Sequence, residues 1–312
     1  MGIAQTLGLA TISAAILASP ALADMKFATG RQGGSQYPVS VALSQIMDKV
    51  PGIGAVSLTP GGGAANIVAV NSGLADLGIT LSVSARDGLD GNPPYKSKMT
   101  NIVQLFALHG FKLLILVPEN SPIKSFKDLA GKKVNTGPRG FTITEIARQI
   151  FAKEKMKVDM QYLRITAAVQ QFKDGHLDAL FYSPSDLYAP FIDLAQARKI
   201  RAVPLPDDTM DRLLKEDPTF YRTEFPAADN IYKGLVNKVQ TLGYPNIIIA
   251  NKNRVSDAQA YGMTKAVAEN LDRVAAVEPS LKTFQVKEMS QSVGVPIHPG
   301  ALKYFKERGW VH

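Results

Sequence analysis

Three glycine-containing loops carry the residues with which this chain could act chemically. In the first, Gly33, Gly34 and Ser35 precede Tyr37 and Pro38; in the second, Gly61-Gly62-Gly63 leads to Asn66; the third reads Gly137-Pro138-Arg139-Gly140-Phe141-Thr142. Each follows a strand-like stretch and opens a helix-like one. A corner of this kind presents backbone N–H groups to an anion, because the first N–H groups of a helix have no partner within it and glycine lets a ligand approach the backbone. Arg139 adds a planar guanidinium suited to holding a carboxylate at two points. Tyr37 offers an aromatic face and a hydroxyl, for a ligand or for packing at a helix start. The glycines and Asn66 suit either a bound carboxylate or a tight turn. Thr80 and Ser82, and later Tyr182 and Ser183, follow strand-like runs at the ends where open α/β sheets place ligands, although hydroxyls there also cap and turn the backbone. The chemistry on offer is anion recognition.

Catalytic patterns do not assemble. The four histidines (His109, His176, His298, His312) are far apart and lack the i, i+4 pairing of a zinc helix. Ser121 to Lys124 matches Ser-x-x-Lys without its companion motifs, and no Gly-x-Ser-x-Gly elbow or phosphate-loop spacing occurs. His298, within Val-Pro-Ile-His-Pro-Gly, reads as structural. No cofactor or metal is expected.

The elements that must position the loops read as alternating α/β. A strand over Lys26 to Thr29 leads to a helix with Val39, Leu43, Ile46, Met47 and Val50 on one face, stopped by Pro51-Gly52. A strand over Ala55 to Thr59, a helix through Ile67 and Val70, and the strand Ala75 to Ile79 complete a βαβαβ unit, hence a parallel sheet with right-handed crossovers. Residues 82 to 101 read as loop, and the apolar run Ile102 to Val117 carries the chain out of this unit. Capping boxes are expected at Ser125 to Asp128 and at Thr142 to Glu145. A second alternation follows, with strands at Met160 to Leu163, Leu177 to Tyr182 and Ile200 to Pro204. A polar, proline-punctuated stretch from Asp207 to Lys238 precedes the apolar return Ile247 to Ala250 and helices at Ser256 to Val277 and Gly300 to Arg308. The division expected is lobe 1 from 24–112 with 246–312, lobe 2 from 113–245, and a hinged cleft between them.

At 312 residues, 46% hydrophobic and 20% charged, the chain is long enough for two such lobes. Its first 23 residues contain no Asp, Glu, Lys or Arg, are apolar from Leu7 to Ala18 and end Ala21-Leu22-Ala23, which reads as an export signal cleaved before Asp24. No later stretch approaches about 18 apolar residues. Cysteine is absent, which excludes disulfides and thiolate chemistry. The net charge of +8 is spread, with 7 basic and 5 acidic residues over 24–112, 19 and 16 over 113–245, and 9 and 6 over 246–312. No basic block emerges, so the charge suggests solubility and mild anion attraction and not a nucleic-acid partner.

The loops and their surroundings closely resemble the TAXI family of solute-binding proteins, the extracytoplasmic receptors of TRAP transporters. The resemblance runs through Ala28 to Pro38, Thr59 to Ile79, Ile123 to Val134, Phe172 to Phe181 and Val295 to Gly309, five motifs in order over nearly all of the chain after residue 23. It implies an α/β type II periplasmic-binding-protein fold, two lobes joined by a hinge with the ligand between them, and a TRAP-type membrane permease as partner. It also implies a ligand that is a small organic anion, a carboxylate or an amino dicarboxylate such as glutamate. Two departures, Gln36-Tyr37 before the proline and Arg139-Gly140-Phe141-Thr142 after Gly-Pro, bear on the ligand and not on the fold.

The expectation is therefore a periplasmic, monomeric binding protein without turnover. Its ligand would be held by Gly33, Gly34, Ser35, Tyr37, Gly61, Gly62, Gly63, Asn66, Thr80, Ser82, Arg139, Phe141, Thr142, Tyr182 and Ser183. The alternatives are a receptor for another importer or a sensor, and an enzyme on the same hinged fold, which would need an acid/base pair or a covalent attachment residue in the cleft.

Overall fold

A computed structural model describes residues 23–32, 36–226 and 231–311. Residues 1–22 of the proposed leader and the expected ligand residues Gly33, Gly34 and Ser35 lie outside them, while its last residue, Ala23, begins the first strand. The chain opens with three strand-helix units: β1 (Ala23–Thr29) and α1 (Gln36–Met47), β2 (Ile53–Pro60) and α2 (Ala64–Ser72), β3 (Leu77–Leu81) and α3 (Ser82–Asp90). β1 pairs in parallel with both β2 and β3, as the βαβαβ reading requires. The long β4 (Ile102–Lys112) then passes at Leu113 into β5 (Leu114–Pro118), which belongs to a different sheet.

That second sheet is completed by β6 (Lys133–Asn135), β7 (Asp159–Gln161), β8 (Ala179–Tyr182) and β9 (Ile200–Val203), in the order β7-β6-β8-β5-β9. Between them run α4 (Thr142–Lys153), α5 (Ile165–Lys173) and α6 (Ala189–Ala197), with α7 (Asp207–Glu216) following β9. The chain returns through β10 (Tyr221–Phe225) and the 13-residue β11 (Val239–Asn251), giving a first sheet of order β10-β11-β3-β1-β2 in which β4 also pairs with β11. Helices α8 (Asp257–Glu269), α9 (Leu271–Ala275) and α10 (Pro299–Glu307) close the first half.

Each sheet is covered on both faces. Phe27, Leu43, Met47, Phe106, Ile248 and Phe305 fill one side of the first sheet, and Ile67, Val70, Ile247 and Ile249 the other. In the second, Phe126, Ile150, Phe151 and Phe181 lie on one side and Phe172, Leu180, Phe191 and Leu194 on the other. Burial of these side chains is the main favourable term in both halves.

Four local expectations are corrected. Residues 82 to 90 form α3 and not a loop; the helix buries only Ser82, Val83, Ala85 and Gly88, too little for an apolar stripe, and ends on left-handed Gly91. The Asp207 to Lys238 stretch contains α7, whose Met210 and Leu213 are buried, and β10, which joins the first sheet beside β11. The expected 256–277 helix breaks at Asn270 into α8 and α9. The Thr142 capping box does not form: Thr142 is the first residue inside α4 and Phe141 is its N-cap. The Phe141 N–H bonds Pro138 O at 3.1 Å, and the Thr144 hydroxyl, 2.8 to 3.2 Å from the carbonyls of Thr136, Gly137 and Pro138, braces the loop instead.

Candidate functional site

The corner after β2 is built by one buried side chain. Asn66 in the first turn of α2 accepts the Gly62 N–H at 2.8 Å and donates from Nδ2 to Ile79 O at 2.8 Å and Thr29 O at 3.2 Å. Gly61 N–H also donates to Thr29 O, at 3.0 Å. One carboxamide thus ties the ends of β1, β2 and β3 together. Gly62 and Gly63 take φ of +94° and +52°, a backbone that favours glycine. Asn66 was expected to face a ligand; it is buried, with its amide turned to the protein, and it shapes the loop.

The helices that start at these strand ends have no side-chain cap. α2 begins after Gly63, α3 after Leu81 and α4 after Phe141, each without a side-chain acceptor for its first N–H groups. The same holds for α5, α6, α7 and α9, whereas Ser256 accepts from Gln259 N at α8 and buried His298 accepts from Gly300 N at α10. His298 Nε2 lies 3.0 Å from Val255 O, so its ring is used within the protein, a structural role consistent with its reading from sequence.

Between the two sheets lies a cavity of about 590 Å³, walled by Gly63 and Ala64 at the start of α2 and by Gly140 and Thr142 at the start of α4. Asp87 of α3 and Asp217 after α7 also line it. Uncapped helix N-termini from both halves therefore open on one space, an arrangement with a positive partial charge at each end.

The NMT1-like family matches residues 27–309, nearly the whole chain. The chain belongs to the NMT1-like family. Its architecture is also that of a solved solute-binding protein. A TctC solute-binding protein from Polaromonas superposes with TM-score 0.57 at 12% identity, covering 92% of this chain and 98% of that one. Two further structures match less closely. The periplasmic aliphatic sulphonate binding protein SsuA of Escherichia coli has TM-score 0.48, 16% identity and coverages of 91% and 78%. The probable amino-acid ABC transporter extracellular-binding protein ytmK of Bacillus subtilis has 0.49, 15%, 83% and 96%. The fold of this NMT1-like protein is the two-lobed α/β periplasmic-binding-protein fold.

The remaining described residues expected at the ligand in this NMT1-like chain do not line that cavity. Thr80 and Ser82 are buried and their hydroxyls have no hydrogen-bond partner among the described residues. Tyr37 is half-buried in the first turn of α1. Arg139 is exposed, with its guanidinium carbon 3.7 Å from the centre of the Tyr162 ring. Phe141, at the head of α4, is 47% exposed. Tyr182 stacks on Tyr188 at 5.8 Å and packs beside Gly137, while the Ser183 hydroxyl accepts from Tyr244 OH at 2.7 Å. The cavity thus brings together Gly63 and Thr142 with Gly140; Thr80, Ser82, Tyr37, Arg139, Tyr182 and Ser183 are not among its walls.

Sequence reasoning missed the polar groups where the strands cross between lobes. Gln36 Nε2 donates to Asn246 Oδ1 at 2.7 Å, and Asn246 Nδ2 lies 3.5 Å from Nε2 of buried His109, itself 3.9 Å from Glu278. Burial pushes the His109 pKa down, with Glu278 and Asp186 acting the other way. Buried Lys112 donates to Asp186 at 2.5 Å and to Glu224 O at 3.1 Å. The available signal was composition: His109 and Lys112 interrupt the apolar run from Ile102 to Val117. In the cavity, burial raises the Asp87 pKa, opposed by a hydrogen bond from Asn92 and reinforced by Asp217 and Asp90.

Proposed function

We propose that this protein is an extracytoplasmic solute-binding receptor of the TAXI type, which captures a small organic anion between its lobes and delivers it to a TRAP-type membrane permease. The observation that carries this reading is the pair of uncapped helix starts, α2 and α4, on opposite walls of one cavity. Unsatisfied N–H groups at both ends suit a carboxylate or an amino dicarboxylate such as glutamate, and gain a shared ligand only when the lobes meet. Family membership and the names of the structural relatives support binding over turnover. The reading includes export with cleavage near Ala23 and action as a monomer. It takes residues 24–112 with 246–312 and residues 113–245 as the lobes, pivoting where β4 meets β5 and along β11.

Arg139 is the side chain assigned to the ligand on the second lobe. Its face rests on Tyr162, which orients the guanidinium and leaves its N–H edge for a carboxylate. Native mass spectrometry of freshly purified protein, followed by calorimetry with the retained molecule, tests the reading. A retained small anion, bound roughly tenfold more weakly by Arg139→Ala, is the expected result. Retention of a neutral or cationic solute refutes the anion assignment. An anion whose affinity is unchanged in Arg139→Ala removes Arg139 from the site and leaves the backbone N–H groups as donors.

A further inference from the structure

Gln36, the first residue of α1, stands between the end of β1 and the strands that cross between the lobes. Its Cβ lies 2.8 Å, and its Oε1 3.4 Å, from where a Cβ on Gly30 would stand, so its amide oxygen looks onto the corner that follows β1. The nitrogen of the same amide donates to Asn246 Oδ1 at 2.7 Å. Asn246 in turn directs its Nδ2 at Nε2 of His109, 3.5 Å away, so the uncharged ring accepts there and carries its hydrogen on Nδ1, which has no partner among the described residues. Two carboxamides in series thus connect a buried imidazole on β4 to the Gly30 corner. Among the described residues, the charged and titratable groups around that imidazole come from four directions. Glu278, beyond α9, lies 3.9 Å from Nε2; Asp186 and Lys112 pair with each other; Tyr221 of β10 sets its hydroxyl over Gly110; and Glu288 acts on Tyr221.

We infer that His109 sets which end of the Gln36 amide faces the Gly30 corner, an oxygen when the ring is neutral and N–H donors when it is protonated, so that the receptor holds an anion more tightly as His109 takes up a proton. The inference rests on the receptor reading and adds a control to its site. Protonation puts a hydrogen on Nε2, where Asn246 offers only another N–H; half a turn of that amide gives Nε2 an oxygen instead. Asn246 then presents Nδ2 to Gln36, which turns in the same way to meet it with Oε1, and the Gln36 N–H groups come to face Gly30. Each amide keeps its bonds, so the reversal costs little within the chain, while an anion at the corner exchanges a repelling oxygen for a donor. Glu278, with Asp186 behind it, supplies the counter-charge for the imidazolium. Burial opposes the proton, which places the titration on the acid side of an ordinary histidine. By linkage, a bound anion raises the His109 midpoint as much as the proton raises the affinity, about one pH unit for a tenfold effect.

Nuclear magnetic resonance of the ligand-free protein from about pH 5 to 8, with calorimetry of L-glutamate and pyruvate at about pH 5.5 and 8, tests this. The side-chain amide signals of Asn246 and Gln36 are expected to shift together with the His109 imidazole, at a midpoint below about 6.5. Both probe anions keep their charge over this range, and at least one should bind the wild type about tenfold more tightly at the lower pH. His109→Gln keeps an acceptor for Asn246 that takes no proton, and Gln36→Met leaves His109 titrating with nothing to turn at the corner, so each should bind that anion equally at both pH values. Amide signals that do not follow His109, a wild-type affinity that is flat with pH, or a pH dependence that survives in either variant overturns the inference and leaves the receptor reading intact. If neither anion binds the wild type at either pH, the organic-anion reading fails and this inference with it.

Discussion

Removing Asp186 should unsettle the crossing between the lobes more than removing its partner. Lys112, the last residue of β4, is buried, with its side chain 7% exposed against 15% for Asp186. Its Nζ has two partners, Asp186 Oδ1 at 2.5 Å and Glu224 O at 3.1 Å, and its own N–H bonds Pro184 O at 3.0 Å. Asp186→Ala leaves a buried ammonium with one carbonyl, for which about 3 to 5 kcal/mol is the usual cost of an uncompensated buried charge. Lys112→Met leaves the more accessible carboxylate, near enough to water to recover part of its hydration, and should cost about 1 to 3 kcal/mol. The double replacement Lys112→Met with Asp186→Ala should cost less than Asp186→Ala alone, because no unpaired charge remains. Equilibrium urea unfolding of the four proteins forms a double-mutant cycle, read by far-ultraviolet dichroism with a check that the transition stays single. A loss below about 1 kcal/mol in Asp186→Ala would mean that Lys112 finds water or another acceptor, and that the pair does not hold the crossing.

Two further outcomes are open to direct measurement. Burial holds Asp87 above its ordinary 3.8, so its share of stability is complete below that value and is lost as pH rises through the raised folded-state pKa. Asp87→Asn should therefore be the more stable protein at neutral pH with a flatter urea midpoint against pH, and a mutant profile parallel to the wild type would refute this. Asn66→Ala removes the bonds to Gly62 N, Thr29 O and Ile79 O and should cost about 2 to 4 kcal/mol by the same assay, with weaker ligand binding because the corner loosens; a cost under about 1 kcal/mol would show that water replaces the amide.

The sequence disclosed what is local. Glycines after apolar runs marked the corners after β2 and β6, and a helical period with Pro51-Gly52 behind it marked α1, because turn chemistry and one buried face leave their trace within a dozen residues. α3 left almost none, since Arg86, Asp87 and Asp90 surround its few buried positions, and β10 is a short, half-exposed Tyr221–Phe225 that pairs only once β11 lies beside it. The position of Thr142 was misread by a single residue, as a cap is decided by the turn before it. The crossing between lobes was out of reach for a different reason. Lys112 and Asp186 are 74 residues apart and Gln36 and Asn246 are 210 apart, and neither pair has a spacing that sequence alone could flag. Asn66 was visible, but its role was not: whether an amide faces a ligand or three strand ends depends on where β1 and β3 come to lie.

The starts of α2 and α4 on one cavity link this architecture to its proposed work. α8 and α10 pack on each other away from the corners and satisfy their first N–H groups with Ser256 and His298. α2 and α4, like α3, α5, α6, α7 and α9, do not, although a Ser, Thr, Asn or Asp at the cap position would stabilise a helix by about 1 kcal/mol. On the proposed reading, water would serve the N–H groups at α2 and α4 until an anion displaces it, so that stability forgone in the empty protein would become affinity in the filled one. Backbone donors of this kind accept any small anion of suitable size. On that reading, selection among anions would fall to side chains that reach beyond the backbone, such as Arg139, whose one soft contact on Tyr162 lets it be replaced without disturbing the sheet beneath.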